Sequence, residues 1–256
     1  MFPYRDENDT IRPSLVTYGI IALNVIAWFL LQGAGVPERV AESVCNLGLV
    51  PGELTRRASV GEAFPMGQGM ACVVDEQWQP QHILTSMFLH GSWMHLLGNM
   101  WFMWIFGNNV EDSMGHVRFA VFYLICGTAA ALAQVLVEPG SIVPMVGASG
   151  AIGGVMGAYV VLYPRVKVYN LVVLGFFVTT VALPAWLMLG YWMLLQVLGG
   201  ATAVAGQGGV AYAAHIGGFA AGAALIKLFA RRDYVEEHRA HHWRPKHLGF
   251  DRSRWR

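Results

Sequence analysis

From Ser14 to Gly33 the chain reads SLVTYGIIALNVIAWFLLQG, about twenty residues without an Asp, Glu, Lys or Arg. An α-helix of about that length is what crossing a ~30 Å hydrocarbon core requires. Few folds can accommodate such a segment, and the pattern recurs. Ile83–Phe106, Phe119–Val137, Ser149–Tyr163 and Val210–Ala230 are similarly apolar. Only 13% of the residues are charged, against 55% hydrophobic. That is half the ~25% charge density of soluble domains, so much of the surface faces something other than water. The first apolar segment follows a polar stretch with no small-residue cleavage site, and is expected to be retained as a span. A net charge of +1 gives no argument for nucleic acid or an acidic partner.

Val168 to Leu198 is the ambiguous stretch. Pro184 divides it into pieces too short for two crossings. The first piece, rich in Val, Phe and Thr, suits an interfacial or partly extended segment as well as a helix. The expectation is a single crossing from about Pro184 to Leu198, which gives six spans. Charge placement agrees: positive residues concentrate in short cytoplasmic loops. With both termini inside, Arg118, Arg165, Lys167 and the tail after Ala230 fall inside, while Glu138–Gly147 and Gly199–Gly209 carry no Lys or Arg. The predicted architecture is an all-α membrane protein, a six-transmembrane-helix bundle. It comprises a cytoplasmic N-terminal tail (1–13), a membrane domain (14–230) with a long outer loop (34–82), and a basic cytoplasmic tail (231–256).

Polar groups inside a span are costly and are functional candidates by default. Here they cluster: His90, His95 and Asn99 on the second span, Ser149 on the fourth, His215 on the sixth. Six spans place Ser149 and His215 in the same, outer half of the membrane. A serine is a poor nucleophile until a base removes its proton, and histidine is the usual base. His95 and Asn99, four residues apart, share a helical face and suit the donors a tetrahedral oxyanion needs. Gly150–Gly154, Gly153–Gly157, Ala214–Gly218 and Gly218–Gly222 are small-xxx-small pairs that let helices approach closely. Each residue has an ordinary alternative. Ser149 alone suits packing or capping, His215 alone an interhelical hydrogen bond, and His90 a structural hydrogen-bonding role better than a chemical one. There is no His-Glu-x-x-His, nor a carboxylate in these three spans to complete a zinc set, so a metal site is not expected. A transporter would want paired repeats and charges in mid-span, and neither is present.

His90-Gly-Ser-Trp-Met-His95-Leu-Leu-Gly-Asn99, Gly107 and Glu111, Gly147-Ala-Ser149-Gly150 and Ala214-His215-Ile-Gly217-Gly218-Phe-Ala-Ala-Gly222 resemble the rhomboid intramembrane serine proteases. The resemblance runs in order from about Ile83 to Leu225. It implies a Ser149–His215 catalytic dyad without an acidic third member, with Asn99 and His95 binding the oxyanion. Gly147 and Gly150 frame the serine, and Glu111 is a structural stabiliser at the inner end of the second span. It also implies a water-filled site open to the outside, no cofactor, and transmembrane proteins as substrates. Two positions depart from the family. Gln81-His82 stands where Trp-Arg is frequent, and Gly153 where some members stack an aromatic on the catalytic histidine.

The functional expectation is an intramembrane serine endopeptidase. The alternative is a catalytically inactive protein of the same fold that binds or escorts membrane clients. The expected location is the inner membrane of a bacterial or archaeal cell, in contact with lipid. Cys126 is expected to pack within the third span. Cys45 and Cys72 share the outer loop, where an oxidising compartment favours a disulfide. The Arg- and His-rich tail is read as solvated, with attraction to anionic lipid as the sharper option.

Overall fold

A computed structural model describes residues 2–203 and 209–242. Strand β1 (Phe2–Asp6) is followed by helix α1 (Leu15–Leu30) and a 3-10 turn at Gly33–Gly35. The long loop then contains α2 (Pro37–Leu47), α3 (Pro51–Thr55), strands β2 (Ala63–Gly67) and β3 (Met70–Val73), and α4 (His82–Thr85), which runs into a 3-10 turn at Ser86–Phe88. Helices α5 (Trp93–Met114), α6 (His116–Val137) and α7 (Ser149–Leu162) come next, then β4 (Lys167–Leu174) and β5 (Phe177–Pro184). The described chain ends with α8 (Ala185–Thr202), α9 (Tyr212–Phe229) and α10 (Arg232–His242). Helices α6, α8 and α9 are long and apolar enough to cross a membrane, and α1 and α7 are shorter apolar helices.

The fold is therefore mostly helical rather than all-α. Val168–Leu183 is rich in β-branched and aromatic residues, which fit a pleated surface, and it forms the β4–β5 hairpin. Strand β1 adds to it in the order β1-β4-β5. Helix α8 starts after Pro184, whose extended backbone ends the strand. The stretch thus supplies one helix, as its division by Pro184 implies.

The second apolar segment also begins later than expected. Ile83–Phe88 is used up in α4 and the turn, Leu89 is extended, and the Ser92 hydroxyl accepts the His95 N–H (3.1 Å) to cap a new helix at Trp93. His90 consequently precedes α5 instead of lying within it. At its far end α5 stops at Gly115, whose φ of +82° suits glycine.

Loop 34–82 is folded. Pro37 and Pro51 sit at the first positions of α2 and α3, where a missing N–H costs nothing. Cys45 and Cys72 are disulfide-bonded, joining α2 to β3. Cys126 is free and buried on α6.

Among the described residues, helices α7 and α9 pack most extensively against each other, with α6 alongside. Glycine makes it possible: a Cβ on Gly218 would overlap the Gly150 carbonyl, one on Gly222 the Gly154 carbonyl, and one on Gly157 the Phe219 carbonyl. Trp28, Met103, Phe106, Phe119, Phe122 and Tyr159 fill the core between α1, α5, α6 and α7. Leu23, Phe29 and Leu30 on α1, and Trp186, Leu187, Leu194 and Leu195 on α8, are exposed on the outside.

Neither tail is simply solvated. Strand β1 is paired, and Asp6 accepts from Tyr159 Oη (2.5 Å) and Asn109 Nδ2 (2.8 Å). Burial lifts the Asp6 carboxyl to about 6, against a lowering by the Tyr159 hydroxyl. From α10, His238 lies 2.9 Å from Asp112 Oδ2 and 2.8 Å from Asn8 Oδ1. Arg12 pairs with Asp112 (3.1 Å) and with Glu237. The remaining basic tail, Trp243 to Arg256, lies outside the described residues.

Candidate active site

Ser149 is the first residue of α7, and the turn before it is dictated by space. Gly147 has φ +126°, and a Cβ there would sit 2.6 Å from His95 Nε2. Its N–H donates to the Ser86 carbonyl (2.9 Å), which holds the approach to Ser149 against the turn that follows α4. Gly150 faces Ala130 of α6 too closely for a side chain. His215 occupies the first turn of α9, where the preceding Ala214 N–H donates to Gln134 Oε1 (3.2 Å). Because α7 and α9 touch through glycines, Ser149 Oγ and His215 Nε2 come within 2.7 Å.

The other histidine nitrogen meets a group that the sequence reading did not single out. His215 Nδ1 is 2.7 Å from Gln196 Oε1 on α8. Gln196 Nε2 donates to the Trp192 carbonyl (3.3 Å), which leaves the amide oxygen toward the imidazole. An amide oxygen only accepts, so Nδ1 carries the hydrogen. Nε2 then presents a lone pair to the Ser149 O–H. Trp192 also lies over the imidazole, with centroids 5.7 Å apart and planes at 35°, and stacks on Phe219. A side chain at Gly153 would be tight, since its Cβ would be 3.1 Å from the His215 carbonyl and the neighbouring backbone would have to give by a few tenths of an ångström. Helix α8 supplies the ring instead. Gln196 was findable: it is an amide in the middle of an uncharged apolar helix.

Across the site, Asn99 is buried and its Nδ2 has no hydrogen-bond partner among the described residues. It lies 3.6 Å from where a Gly147 Cβ would be. The Gly91 N–H donates to His95 Nδ1 (3.3 Å), so His95 Nε2 carries its hydrogen toward Gly147. A cavity of about 30 Å³ beside Ser149, Gly147, Ser86, Met145 and Ala214 has room for a water or two.

His90 is fully buried edge-on to His95 (centroids 5.0 Å), but its ring nitrogens have no partner among the described residues. Its backbone is what is gripped: Gln32 Oε1 accepts its N–H (2.8 Å) and Gln32 Nε2 donates to its carbonyl (2.7 Å). Glu111 stands twelve residues beyond Asn99, ~18 Å along the helix. Its carboxylate accepts the Val16 and Thr17 N–H groups (2.9 and 2.8 Å) and the Thr17 hydroxyl (2.6 Å), capping α1. It also contacts His116 Nδ1 (2.6 Å).

Residues 77–232, more than half of the chain and all of this site, match the sequence model of the rhomboid domain. The protein belongs to the rhomboid family. It is accordingly an integral multi-pass membrane protein. Relatives include rhomboid-like protein 11, chloroplastic, of Arabidopsis thaliana, 30% identical over 161 residues, 58% of this chain and 52% of that protein. Rhomboid protease GluP of Bacillus subtilis is 31% identical over 151 residues, 58% of this chain and 25% of its own length. Rhomboid protein 1, mitochondrial, of Saccharomyces cerevisiae is 32% identical over 141 residues, 53% and 38% respectively. The chain thus spans about half or less of the length of these relatives. In this rhomboid the serine and histidine positions fall inside the matched domain, whereas β1, α1 and most of the outer loop precede it.

Proposed function

We propose that this rhomboid is an intramembrane serine endopeptidase that hydrolyses peptide bonds in or beside the transmembrane segments of other proteins. The observation that carries the reading is the 2.7 Å contact of Ser149 Oγ with His215 Nε2, whose opposite nitrogen is held by Gln196. Ser149 Oγ attacks the scissile carbonyl carbon while its proton passes to His215 Nε2. The carbonyl oxygen becomes an oxyanion facing the Asn99 amide and the His95 Nε2–H, with the Ser149 backbone N–H beside them. Collapse breaks the C–N bond, and the imidazolium gives its proton to the leaving amine. Water, deprotonated by the same imidazole, then attacks the acyl-enzyme ester and releases the acid and Ser149.

In this reading the membrane domain crosses six times, through α1, α5, α6, α7, α8 and α9. The Ser149 end faces outward, both termini are cytoplasmic, and the membrane is the inner membrane of a bacterial or archaeal cell. Those crossings divide the chain into tail, membrane domain and tail at about 14 and 230. Substrates are other membrane-spanning proteins, as the family implies, and the proposed chemistry uses no cofactor.

The competing reading is an inactive rhomboid-like protein that binds or escorts membrane clients. A binder needs neither the close Ser149–His215 contact nor a fixed imidazole tautomer. The two readings are separated by labelling the purified protein with a fluorophosphonate and assaying cleavage of a model membrane substrate. The protease labels and cleaves, and Ser149→Ala does neither. Equal behaviour of wild type and Ser149→Ala in both assays would overturn the protease reading.

A further inference from the structure

The β4–β5 hairpin leaves the bundle between α7 and α8, at the end of α7 away from Ser149. Its base is fixed. Val168 and Asn170 are buried, β1 pairs with it from Phe2↔Leu171 to Asp6↔Val168, and the Ala185 N–H donates to the Val166 carbonyl (2.8 Å). Beyond Leu171 the ribbon is largely uncovered by the described residues. Val173 is 61% exposed, Phe176 104%, Phe177 78% and Val178 63%. Gly175, at φ +60°, makes the turn that presents Phe176 at the tip. The register pairs Val173 with Val178 and Leu171 with Thr180, placing Leu171, Val173 and Val178 on one face. Val172 and Phe177 lie on the other.

Thr179 and Thr180 put one hydroxyl on each face lower down, but the tip from Val173 to Val178 carries no polar side chain on either face to turn to water. A protein partner or a second copy docking on one face would leave the other uncovered, whereas acyl chains cover both. The hairpin also ends where a helix long and apolar enough to cross a membrane starts. Helix α8 follows directly at Ala185, and its exposed Trp186, Leu187, Leu194 and Leu195 continue the same apolar surface in an integral membrane protein. The free edge of β5 limits the depth, because unpaired backbone groups cannot be left in hydrocarbon. Charge fits the same boundary. No Asp, Glu, Lys or Arg occurs from Val168 to Ile226, while Arg165 and Lys167 stand exposed at the base, where anionic headgroups attract cations.

We propose that the β4–β5 hairpin is a membrane-interface anchor, its tip from Val173 to Val178 inserted among lipid acyl chains on the side of the bundle opposite Ser149. The lipid contact this assigns is independent of the proteolytic reading. It is tested with the full chain reconstituted in phosphatidylethanolamine–phosphatidylglycerol vesicles and an environment-sensitive fluorophore on Phe176→Cys. Cys126 is buried and Cys45–Cys72 bonded, so the label is confined to the tip. The expected result is blue-shifted emission, strongly quenched by lipids spin-labelled on the acyl chain and protected from aqueous iodide. Glu76→Cys in the outer loop, carrying the same label, serves as the water-exposed reference. Emission as red and as iodide-accessible as the reference overturns the proposal. So does a blue shift that acyl-chain spin labels do not quench, or efficient cross-linking of Phe176→Cys between two copies, since either assigns the tip to a protein partner.

Discussion

Gln196 Oε1 and His215 Nδ1 are 2.7 Å apart, across the seam between α8 and α9. The contact ties the orientation of the imidazole to the position of a helix that packs loosely against the rest. Helix α8 exposes Trp186, Leu187, Tyr191, Leu194 and Leu195, and is far less closely packed against α7 than α9 is. A net hydrogen bond of about 1 kcal/mol corresponds to roughly fivefold to tenfold in rate. Gln196→Leu is therefore expected to lower kcat by about that factor with KM little changed, and Gln196→Glu, which keeps an acceptor at Nδ1, to retain more activity. Substrate kinetics of the two variants side by side are the check. Equal kcat in both variants would remove the positioning role.

Asn99 offers a buried N–H with no partner among the described residues, which is how a group reserved for a transient anion should look before the reaction. Losing one such donor costs about 10²–10³ in kcat in serine hydrolases. Asn99→Ala is expected to show a loss of that order in turnover and a thermal midpoint close to wild type. A variant that unfolds early instead would mark Asn99 as a packing residue.

Gly222 and Gly190 make a contrast on neighbouring helices. A Cβ at Gly222 would overlap the Gly154 backbone, whereas among the described residues nothing lies within 4 Å of one at Gly190. Overpacking of this kind costs about 1–3 kcal/mol. Gly222→Ala is expected to lower both thermal stability and the rate of fluorophosphonate labelling, because it separates α7 from α9. Gly190→Ala should leave labelling unchanged and gain up to about 1 kcal/mol from reduced chain entropy.

Asp6 joins the N-terminal strand to Tyr159 and Asn109, and its carboxyl is raised from 3.8 to about 6 by burial. A raised carboxyl binds its proton more tightly in the folded state. Its contribution to stability is fully present below about pH 4 and is lost as pH rises through about 6. Hydrogen exchange of β1 amides, corrected for intrinsic rates, is expected to become less protected across that window. Asp6→Asn should flatten the dependence; an unaltered pH profile in the variant would place the sensitivity elsewhere.

Much of this arrangement was legible because each polar group in an apolar run stands out. Ser149 and His215 could be paired once Pro184 limited the segment between them to a single helix, and Glu111, expected as a stabiliser, accepts from Val16 and Thr17 at the start of α1. The less legible features depend on three-dimensional neighbours. A two-strand ribbon and a helix fragment look alike in a short Val- and Phe-rich run, so β4 and β5 were not resolved as strands. The start of α5 turned on one serine cap, which moved His90 off the helix. Trp192 was hidden by its ordinary place in an apolar helix, and its role appears only through its position over His215. The docking of α10 by His238 rests on a partner 126 residues away, which local pattern cannot supply.

Helix α7 has 14 residues from Ser149 to Leu162, a rise of only ~21 Å. The hydrocarbon core is ~30 Å thick. In the proposed six-crossing arrangement, so short a helix with Ser149 at its head cannot reach both surfaces of an undeformed bilayer. Either the lipid thins around the bundle or the hydroxyl lies recessed beneath the headgroups. Both outcomes make acyl-chain length a variable of the chemistry. Under the proposed proteolytic reading, the distance that a substrate segment and a water molecule must travel to Ser149 is then set as much by the host membrane as by the protein.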